Sequence, residues 1–403
     1  MKRIYIITAI LASVALAWVM PGLYKIITDE APEYPLAFYS SVDDKFCVFD
    51  FGEKGLLRRD MNGNEYSQKE FDSLLPMIYA NQLIYDSRLP KKIKGIDISI
   101  NAIRYDNFSY RYKPKTYNKP SIKLYPLFES MSARVDIATP SDVFRITDKI
   151  EFIDIEKNTL DLDKSTKYNK VFYNTDFKVP AKRICGIPSS RKNYDEGYFV
   201  IDSNNALFHI KRVNEKPFIC NVGIDKNIKV DFFEAIDIPN RKYYGFLFDT
   251  EGQMYVLTTE NYRLIKVGIP PINMNNTTIS IMANMFYWNI NVKSKDIKKT
   301  YAVDAKTKNY VDLLISENTN KSESFIKNIM PFTISFSSLY DGYIKFRLKT
   351  NLPMALMFNL LFVCTYLCIF RKNKFKFFPV LWIVVTGIYG FIACILFKSD
   401  INN

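Results

Sequence analysis

The sequence predicts a mainly β fold: an extracytoplasmic domain, β-propeller-like or an irregular multi-sheet arrangement, with one helical insertion and flanking transmembrane helices. Three observations lead to this prediction. Uncharged apolar runs lie at both ends of the 403-residue chain. Between them, short runs rich in Ile, Val, Phe and Tyr are bounded by Asp, Asn and Gly, which is typical of strands and turns. Two of these runs, 47 residues apart, resemble each other.

Three apolar runs without a charged side chain predict membrane helices: Ile4 to Met20, Leu352 to Phe370 and Phe377 to Phe397. A helix of ~20 residues crosses a hydrocarbon layer of ~30 Å, and the last two runs fit that length. The basic stretch RKNKFK, residues 371–376, joins them, and loops of this kind stay in the cytoplasm. The first run follows a Lys-Arg pair and is either an uncleaved anchor or a cleaved signal peptide.

These runs predict three domains. Residues 1–27 form a transmembrane anchor or signal peptide, residues 28–350 an extracytoplasmic β-rich domain, and residues 351–403 a transmembrane helical hairpin. The expected location is the inner (cytoplasmic) membrane, with the large domain on the extracytoplasmic side. The net charge is +13, but much of that excess flanks the apolar runs, so the external part is only mildly basic. This balance and this compartment disfavour a nucleic-acid partner.

One helical insertion is predicted in SQKEFDSLLPMIYANQLIY, which starts at Ser67. Ser67 and Glu70 have the spacing of a capping box. Four apolar residues between Phe71 and Ile78 follow at helical spacing. Pro76 is expected to kink or divide the helix, because proline lacks the N–H that a helix interior needs.

The two similar runs are YFVIDSNNALFHI, from Tyr198, and GFLFDTEGQMYVL, from Gly245. In each, a strand ends at an aspartate, the chain turns, and a second strand follows. Asp154 and Asp296 continue this spacing at 48 and 47 residues. A period of 40 to 50 residues with several strands is typical of a propeller blade; an irregular sandwich or stacked sheets is the alternative. We expect the aspartates to bond the backbone of tight turns.

The sequence contains no HExxH, GxSxG or P-loop motif, so we assign no catalytic residue, cofactor or metal site and do not expect an enzyme. His209, the single histidine, is interpreted as a structural strand residue aligned with Val256. The loop DMNGNE from Asp60 lacks the Gly and Glu of a calcium-binding EF-hand and is interpreted as a hairpin turn. Cys185 and Cys220 form either a disulfide or free thiols.

Two polar segments are candidate binding surfaces. The segment RYKPKTYNKPSIK, residues 111–123, contains no acid; it is predicted to be an extended loop, either solvated or in contact with anionic lipid or glycan. In the second segment, Arg191, Lys192, Asp195 and Glu196 form either the rim of a binding site or a local salt-bridged turn. Adjacent strand residues point in opposite directions, so the two acids make a poor catalytic pair.

In the third apolar run, Gly387, Gly390 and Ala393 recur every three residues. Small residues at such positions let two membrane helices approach closely. These three residues therefore predict a helix-contact face in the membrane.

Three stretches together resemble an uncharacterised membrane-anchored family from gut anaerobic bacteria: PAKRICGIPSSRKNYDEGYFVIDSNNALFHIKRVNEKPF, YYGFLFDTEGQMYVLTTENYRLIKV and LLPMIYANQLIYDSRLPKKIKG. The resemblance spans residues 40 to 350. It implies no assigned activity and no catalytic residue, and it implies an association with ABC-transporter components.

The expected function is that of a non-enzymatic, membrane-anchored accessory or binding protein of the bacterial envelope. Its expected partners are the lipid bilayer and an integral membrane transporter subunit of the ABC type. The alternative is an envelope enzyme that acts on glycans through carboxylates in a propeller channel.

Overall fold

The computed structural model describes residues 2–28, 34–52, 55–120, 123–131, 134–294, 297–317, 329–336, 340–371 and 377–397. The chain divides into two compact units: residues 34–317, and residues 1–33 together with 318–403. The β-rich unit therefore ends at residue 317, whereas the sequence predicted 350. The difference arises because the hairpin of β22 (Phe332–Ser335) and β23 (Arg347–Thr350) groups with the terminal helices.

The helical unit consists of α1 (Lys2–Thr28), α7 (Leu352–Ile369), α8 (Phe377–Thr386) and α9 (Ile388–Leu396). Of the helices in the described residues, α1 is the one that is long and apolar enough to cross a membrane. One side of α1 packs inside this unit, and the opposite side exposes the apolar residues Ile4, Ile7, Leu11, Val14 and Trp18.

The third apolar run is not the continuous helix that the sequence predicted. Gly387 has a φ of +56° and separates α8 from α9, because that backbone conformation is outside the right-handed helix. Residues 372–376 of the predicted basic loop lie outside the described residues. Membrane crossing by α7 and by α8 with α9 stays a prediction.

The β-rich unit contains five antiparallel sheets of three or more strands, counted over the part of the chain that the structure describes. The first comprises β1 (Leu36–Tyr39), β2 (Phe46–Gly52) and β3 (Gly55–Asp60). The second comprises β7 (Asp142–Ile146), β8 (Ile150–Asp154) and β9 (Thr159–Asp161).

Two four-stranded sheets follow, each a simple meander. Their strands are β10 (Arg183–Gly186), β11 (Tyr198–Ile201), β12 (Leu207–Val213) and β13 (Lys216–Asn221), then β14 (Val230–Ala235), β15 (Tyr243–Asp249), β16 (Met254–Thr258) and β17 (Leu264–Lys266). The last sheet has the order β21-β20-β19-β18-β6, from β6 (Phe108–Tyr112), β18 (Thr278–Ala283), β19 (Tyr287–Lys293), β20 (Ile297–Asp304) and β21 (Tyr310–Glu317). A small pair, β4 (Lys92–Ile93) and β5 (Ile96–Asp97), completes the set.

Buried side chains join successive sheets. Separate clusters connect β7–β9 to β10–β13, β10–β13 to β14–β17, and β14–β17 to the five-stranded sheet. A fourth connects the five-stranded sheet to β1–β3. No cluster of the described residues includes side chains of both β1–β3 and β7–β9. The unit is therefore mainly β, with several sheets and no closed barrel.

Two aspartates 47 residues apart close hairpins in the same way. Asp202 Oδ1 accepts hydrogen bonds from the N–H of Asn204 at 2.8 Å and of Ala206 at 2.9 Å. Asp249 Oδ1 accepts from the N–H groups two and four residues further on, at 3.0 and 2.9 Å. Asp60 does the same at 2.8 and 3.0 Å, which confirms the hairpin interpretation of its loop. The predicted turn role of these aspartates is confirmed.

The two outer members of the predicted series fit less well. Asp154 accepts one such bond, from the N–H of Lys157 at 2.9 Å. Asp296 lies outside the described residues. The hairpin between β20 and β21 instead begins at Asp304, 55 residues after Asp249. The even spacing therefore holds for the central pair and not for the last hairpin.

The helical insertion is confirmed as two helices, α2 (Gln68–Leu74) and α3 (Ala80–Tyr85), with Pro76 between them. Ser67 and Glu70 form the capping box. Three further helices were not predicted: α4 (Ile100–Asp106), α5 (Pro114–Asn118) and α6 (Leu162–Phe172). Side-chain caps from Ser99 and Asp161 start α4 and α6, so local hydrogen bonding overrides the β-rich appearance of these segments.

Candidate functional site

A tyrosine–carboxylate cluster lies where β6 and α5 approach β14. We define it as Tyr110, Tyr117, Arg183, Asp231 and Glu234. The Tyr110 hydroxyl donates to Glu234 Oε2 at 2.6 Å, and the Tyr117 hydroxyl donates to Asp231 Oδ2 at 2.7 Å. The Arg183 guanidinium lies 4.3 Å from the centre of the Tyr117 ring and donates to the Tyr117 carbonyl at 3.2 Å.

The local backbone explains why two acids of one strand both meet tyrosines. The pairing of β14 with β15 shifts register between Val230 and Phe232, so Asp231 occupies a bulge. Glu234 shares the face of Phe232 by strand alternation. That face packs on β6, which brings in the tyrosines from more than 100 positions earlier in the chain.

Burial and hydrogen bonding act in opposite directions on the pKa of the carboxyl group of Glu234. Burial raises the pKa of Glu234, and the hydrogen bond from Tyr110 acts in the opposite direction. Burial also raises the pKa of Tyr117, and Asp231 adds to that effect. A carboxyl group with a raised pKa is suited to donating a proton, whereas the tyrosine hydroxyls hold the two acids in fixed positions. The sequence did not indicate this cluster, although its two acids flank a buried pair of phenylalanines in VDFFEA.

A groove lies between α6 and the β8–β9 hairpin. Asn169 fixes the helix to β8 by bonds to both backbone groups of Ile150, at 2.9 and 2.8 Å. The groove has a volume of about 340 Å³. Its walls include the exposed apolar residues Leu160, Leu162 and Tyr173, which are 44%, 70% and 64% exposed. Two lysines, Lys149 and Lys170, also line it.

His209 is fully buried and both of its ring nitrogens have partners. Nε2 donates to the Glu196 carbonyl oxygen at 2.5 Å, so Nδ1 accepts from the Tyr262 hydroxyl at 2.7 Å. The ring stacks on Phe199 at 4.1 Å. Burial lowers the pKa of His209 to about 3. The imidazole is neutral and satisfied, so the predicted structural role of this histidine is confirmed.

Two of the four residues that the sequence placed in either a binding rim or a salt-bridged turn have buried side chains. Lys192 and Asp195 form an ion pair with side chains 3% and 1% exposed. Lys192 Nζ also donates to the Ile187 carbonyl at 2.9 Å and lies 4.2 Å from the Phe128 ring centre. Asp195 accepts from Ser130 Oγ at 2.9 Å. A charge this deep requires such partners, and the salt-bridged turn is the arrangement observed.

The other two rim residues face elsewhere. Glu196 pairs with Arg241 and, at 3.6 Å, with Lys211. Arg191 is exposed. The cavity beside this segment measures about 20 Å³, which is room for a water molecule and not for a ligand. A binding role for Arg191 and Glu196 stays a prediction.

The predicted helix-contact residues occupy three different positions. At Gly387 a Cβ atom would lie 2.1 Å from Asn359 Oδ1, so the glycine allows α7 to approach closely. At Gly390 it would lie 2.1 Å from Thr386 Oγ1, in the preceding helix. Ala393 is fully buried on α9. All three residues are buried, and a helix-contact face in the membrane stays a prediction.

Cys185 and Cys220 are free thiols, and burial raises the pKa of Cys185 to about 12. No group of three or more His, Cys, Asp or Glu side chains suited to a metal ion occurs in the described part of the chain.

Residues 36–303 match the family model described as "Domain of unknown function (DUF4857)", and the chain belongs to this family. The expectation of an uncharacterised family is thereby confirmed. A comparison with curated proteins finds no match. The chain is similar to a solved structure of the dihydro-heme d1 dehydrogenase NirN in complex with DHE. That match has 9% identity and a TM-score of 0.18 and covers 64% of this chain and 77% of the other; a similarity this low carries no argument.

Proposed function

We propose that this protein is a non-enzymatic, membrane-anchored accessory protein whose β-rich unit binds a partner through the groove beside α6. Its partner is an integral membrane transporter subunit, of the ABC type that the sequence resemblance implies. It acts at the inner membrane of the bacterial envelope, with the β-rich unit on the extracytoplasmic side. The consecutive sheets are the blades of a propeller-like repeat.

The groove carries this proposal. Leu162 and Tyr173 expose 70% and 64% of their surface on its walls. Exposed apolar patches with a polar rim mark interaction sites more often than chance exposure does. Burying one such side chain contributes about 1.5–3 kcal/mol, so two of them can supply much of the binding energy of a moderate-affinity contact.

The anchor supports the membrane part of the proposal. The buried side of α1 includes Tyr5, Ala9 and Ala17, while its opposite side exposes a continuous apolar stripe. A helix inside a soluble core would bury both sides. An apolar stripe of this length suits contact with lipid chains.

Purification in mild detergent tests the proposal. The wild-type chain is compared with Leu162→Glu/Tyr173→Glu and with a control, Ile84→Glu/Tyr85→Glu, whose side chains on α3 are 44% and 86% exposed. We expect the wild type and the control to retain a transporter subunit and the groove variant to lose it at least tenfold, about 1.4 kcal/mol. Purification without any transporter subunit, or equal retention by all three proteins, would contradict the proposal.

A second candidate function rests on the tyrosine–carboxylate cluster. Glu234, with its raised pKa, and the nearby Asp231 offer an acid and a carboxylate among aromatic rings. That combination favours an envelope enzyme that acts on glycans. The test is hydrolysis of purified envelope glycans by the wild type and Glu234→Gln. Hydrolysis that the variant loses while it keeps its thermal stability would support the enzyme; no hydrolysis by the wild type would remove it.

A further inference from the structure

The β-rich unit also has a basic face, whose residues do not line the groove. Arg111, Lys113, Lys115 and Lys119 are all exposed, while Tyr112 between the first two is buried. Side chains alternate along β6, so its polar side turns outward where its apolar side joins the core. The short helix α5 continues this pattern, whereas the sequence predicted an extended loop.

The segment that carries these cations is held in place. Tyr117 is fixed by its bond to Asp231 and by the guanidinium of Arg183. Asn118 Nδ2 donates to the Asn275 carbonyl at 3.3 Å. The four basic side chains therefore project from a supported surface.

These cations have no ion pair with any acid in the described residues. Other basic residues of the unit are neutralised: Lys94 pairs with Asp44, and Lys242 pairs with Asp106. The contrast matters because an unneutralised group of like charges attracts an anionic partner over about a Debye length, roughly 10 Å.

Half-buried Lys293 extends the face toward the point where the chain begins this unit, whereas Lys298 near it is buried. Lys293 Nζ lies 4.6 Å from the centre of the Tyr34 ring, and Lys298 Nζ donates to the Pro35 carbonyl at 2.8 Å. Arg111 lies two strands from Lys293 in the five-stranded sheet, about 10 Å away. Burial lowers the pKa of Lys293, and the like charge of Arg111 lowers it further.

The chain tethers this face to the anchor. Only residues 29–33 separate Thr28, the last residue of α1, from Tyr34. Fully extended, such a segment spans about 20 Å. Tyr34, beside which Lys293 lies, is therefore joined to the last residue of α1 by a linker of five residues.

We propose that the basic face, defined as Arg111, Lys113, Lys115, Lys119 and Lys293, binds the head groups of anionic lipids beside α1. The proposal rests on the anchoring part of the proposed function and adds a second contact with the bilayer. Each Lys or Arg near an anionic surface strengthens binding by about fivefold. Removal of three therefore weakens the contact by about a hundredfold.

Hydrogen–deuterium exchange of the full chain in nanodiscs tests this contact. The nanodiscs contain phosphatidylcholine alone or with an equal amount of phosphatidylglycerol. We expect the amides of residues 108–119 to exchange more slowly with phosphatidylglycerol, and high salt to remove the difference. Lys113→Glu/Lys115→Glu/Lys119→Glu should also remove it. The control Lys167→Glu/Lys226→Glu/Lys266→Glu has the same charge change at exposed positions elsewhere and should keep it.

Three results would overturn the lipid assignment. Equal exchange in both lipids, or a difference that survives high salt, rules out an electrostatic contact. Loss of the difference in the control variant shows a general charge effect. Failure of the chain to enter nanodiscs would overturn the membrane anchor as well as the lipid contact. Loss of the lipid effect alone would overturn only the lipid contact and leave partner retention by the groove intact. The two failures are therefore distinguishable.

Discussion

The hairpin at Asp202 and the hairpin at Asp249 share a turn but differ in one buried position beside it. In each, the aspartate holds two N–H groups of the turn through one oxygen. In the sheet β10–β13, Phe199 pairs across the strands with His209. In the sheet β14–β17, Phe246 pairs with Val256. The turn chemistry is local and recurs, whereas the interior position depends on which sheet packs against it.

The partners of that interior position explain the difference. His209 has a hydroxyl from Tyr262 on one side and a carbonyl from Glu196 on the other. Val256 lies in an apolar cluster with Trp288 and Phe246. His209 therefore contributes to the packing and Asp202 to the turn, although the two residues are close in the sequence.

The largest expected effect comes from placing a histidine at the matching position of the sheet β14–β17. Val256→His buries an imidazole without a hydrogen-bond partner in a filled cluster, so we expect a loss of about 3 kcal/mol or more in the free energy of unfolding. Denaturant unfolding followed by circular dichroism measures it. The control Val311→His, at a position 37% exposed, should cost far less. Equal costs would show that position 256 accepts a histidine as readily as a partly exposed position, which would contradict the comparison.

Removing either turn aspartate should have the next largest effect, and the same effect in both sheets. Asp202→Ala and Asp249→Ala each lose the two charge-assisted bonds from N–H groups of the turn to Oδ1, and one further bond to Oδ2, so we expect about 2–3 kcal/mol from each. Asp225→Ala serves as the control, because exposed Asp225 accepts a single bond, from Asn227 at 2.9 Å. Costs that differ by more than about 1 kcal/mol between the two hairpins would break the comparison.

Replacing the buried histidine should cost less at neutral pH. His209→Val removes the acceptor of the Tyr262 hydroxyl and the donor to the Glu196 carbonyl, which we expect to cost about 1–2 kcal/mol. Partner retention through the groove should not change, because His209 is fully buried and does not line it. Loss of partner binding by a variant that remains folded would return His209 to a functional role.

The same histidine should make stability depend on pH. The folded pKa is lowered to about 3, so between that value and about 6.5 the unfolded chain binds a proton that the folded chain does not. Stability from this group is therefore present above about pH 6.5 and falls as the pH decreases, by ~2 kcal/mol at about pH 5. The measurement is the difference between wild type and His209→Val at neutral and acidic pH. A parallel pH dependence of the two proteins would contradict it.

The smallest expected effect concerns a bond that only the second hairpin has. The Tyr255 hydroxyl donates to Asp249 Oδ2 at 3.1 Å, whereas the same oxygen of Asp202 accepts from the N–H of Lys178. Tyr255→Phe should cost about 0.5–1 kcal/mol. Tyr310→Phe, at an exposed tyrosine, provides the control. A cost equal to that of Asp249→Ala would mean that the tyrosine, and not the backbone, depends on the aspartate.

Much of the local structure was predictable because its causes are local. The strands around Asp202 and Asp249, the capping box at Ser67 and the division at Pro76 follow from turn chemistry, capping and the proline ring. The helix α6 was missed although its buried residues, Tyr168 and Phe172, stand four positions apart behind an N-cap. The helical spacing of these two residues was visible in the sequence, but the many polar residues around them drew attention away from it.

The candidate sites were less predictable because they depend on distant segments. Tyr110 and Glu234 are 124 positions apart, and nothing local indicates that β6 joins β18. The sequence left open whether Lys192 and Asp195 line a binding rim or form a salt-bridged turn, because their contacts with Phe128 and Ser130 come from a segment more than 60 positions earlier. The interruption at Gly387 reflects contact with Asn359 on α7, which an apolar run does not reveal.

Photo-crosslinking in native membranes tests the central claim most directly. A photoreactive residue in place of exposed Leu162 reports on the groove, and one in place of Tyr85 reports on an unrelated exposed site. We predict that the first forms a covalent adduct with an integral membrane transporter subunit and that the second does not. No adduct from the groove, or the same adducts from both positions, would contradict the account of this protein as a membrane-anchored binding protein.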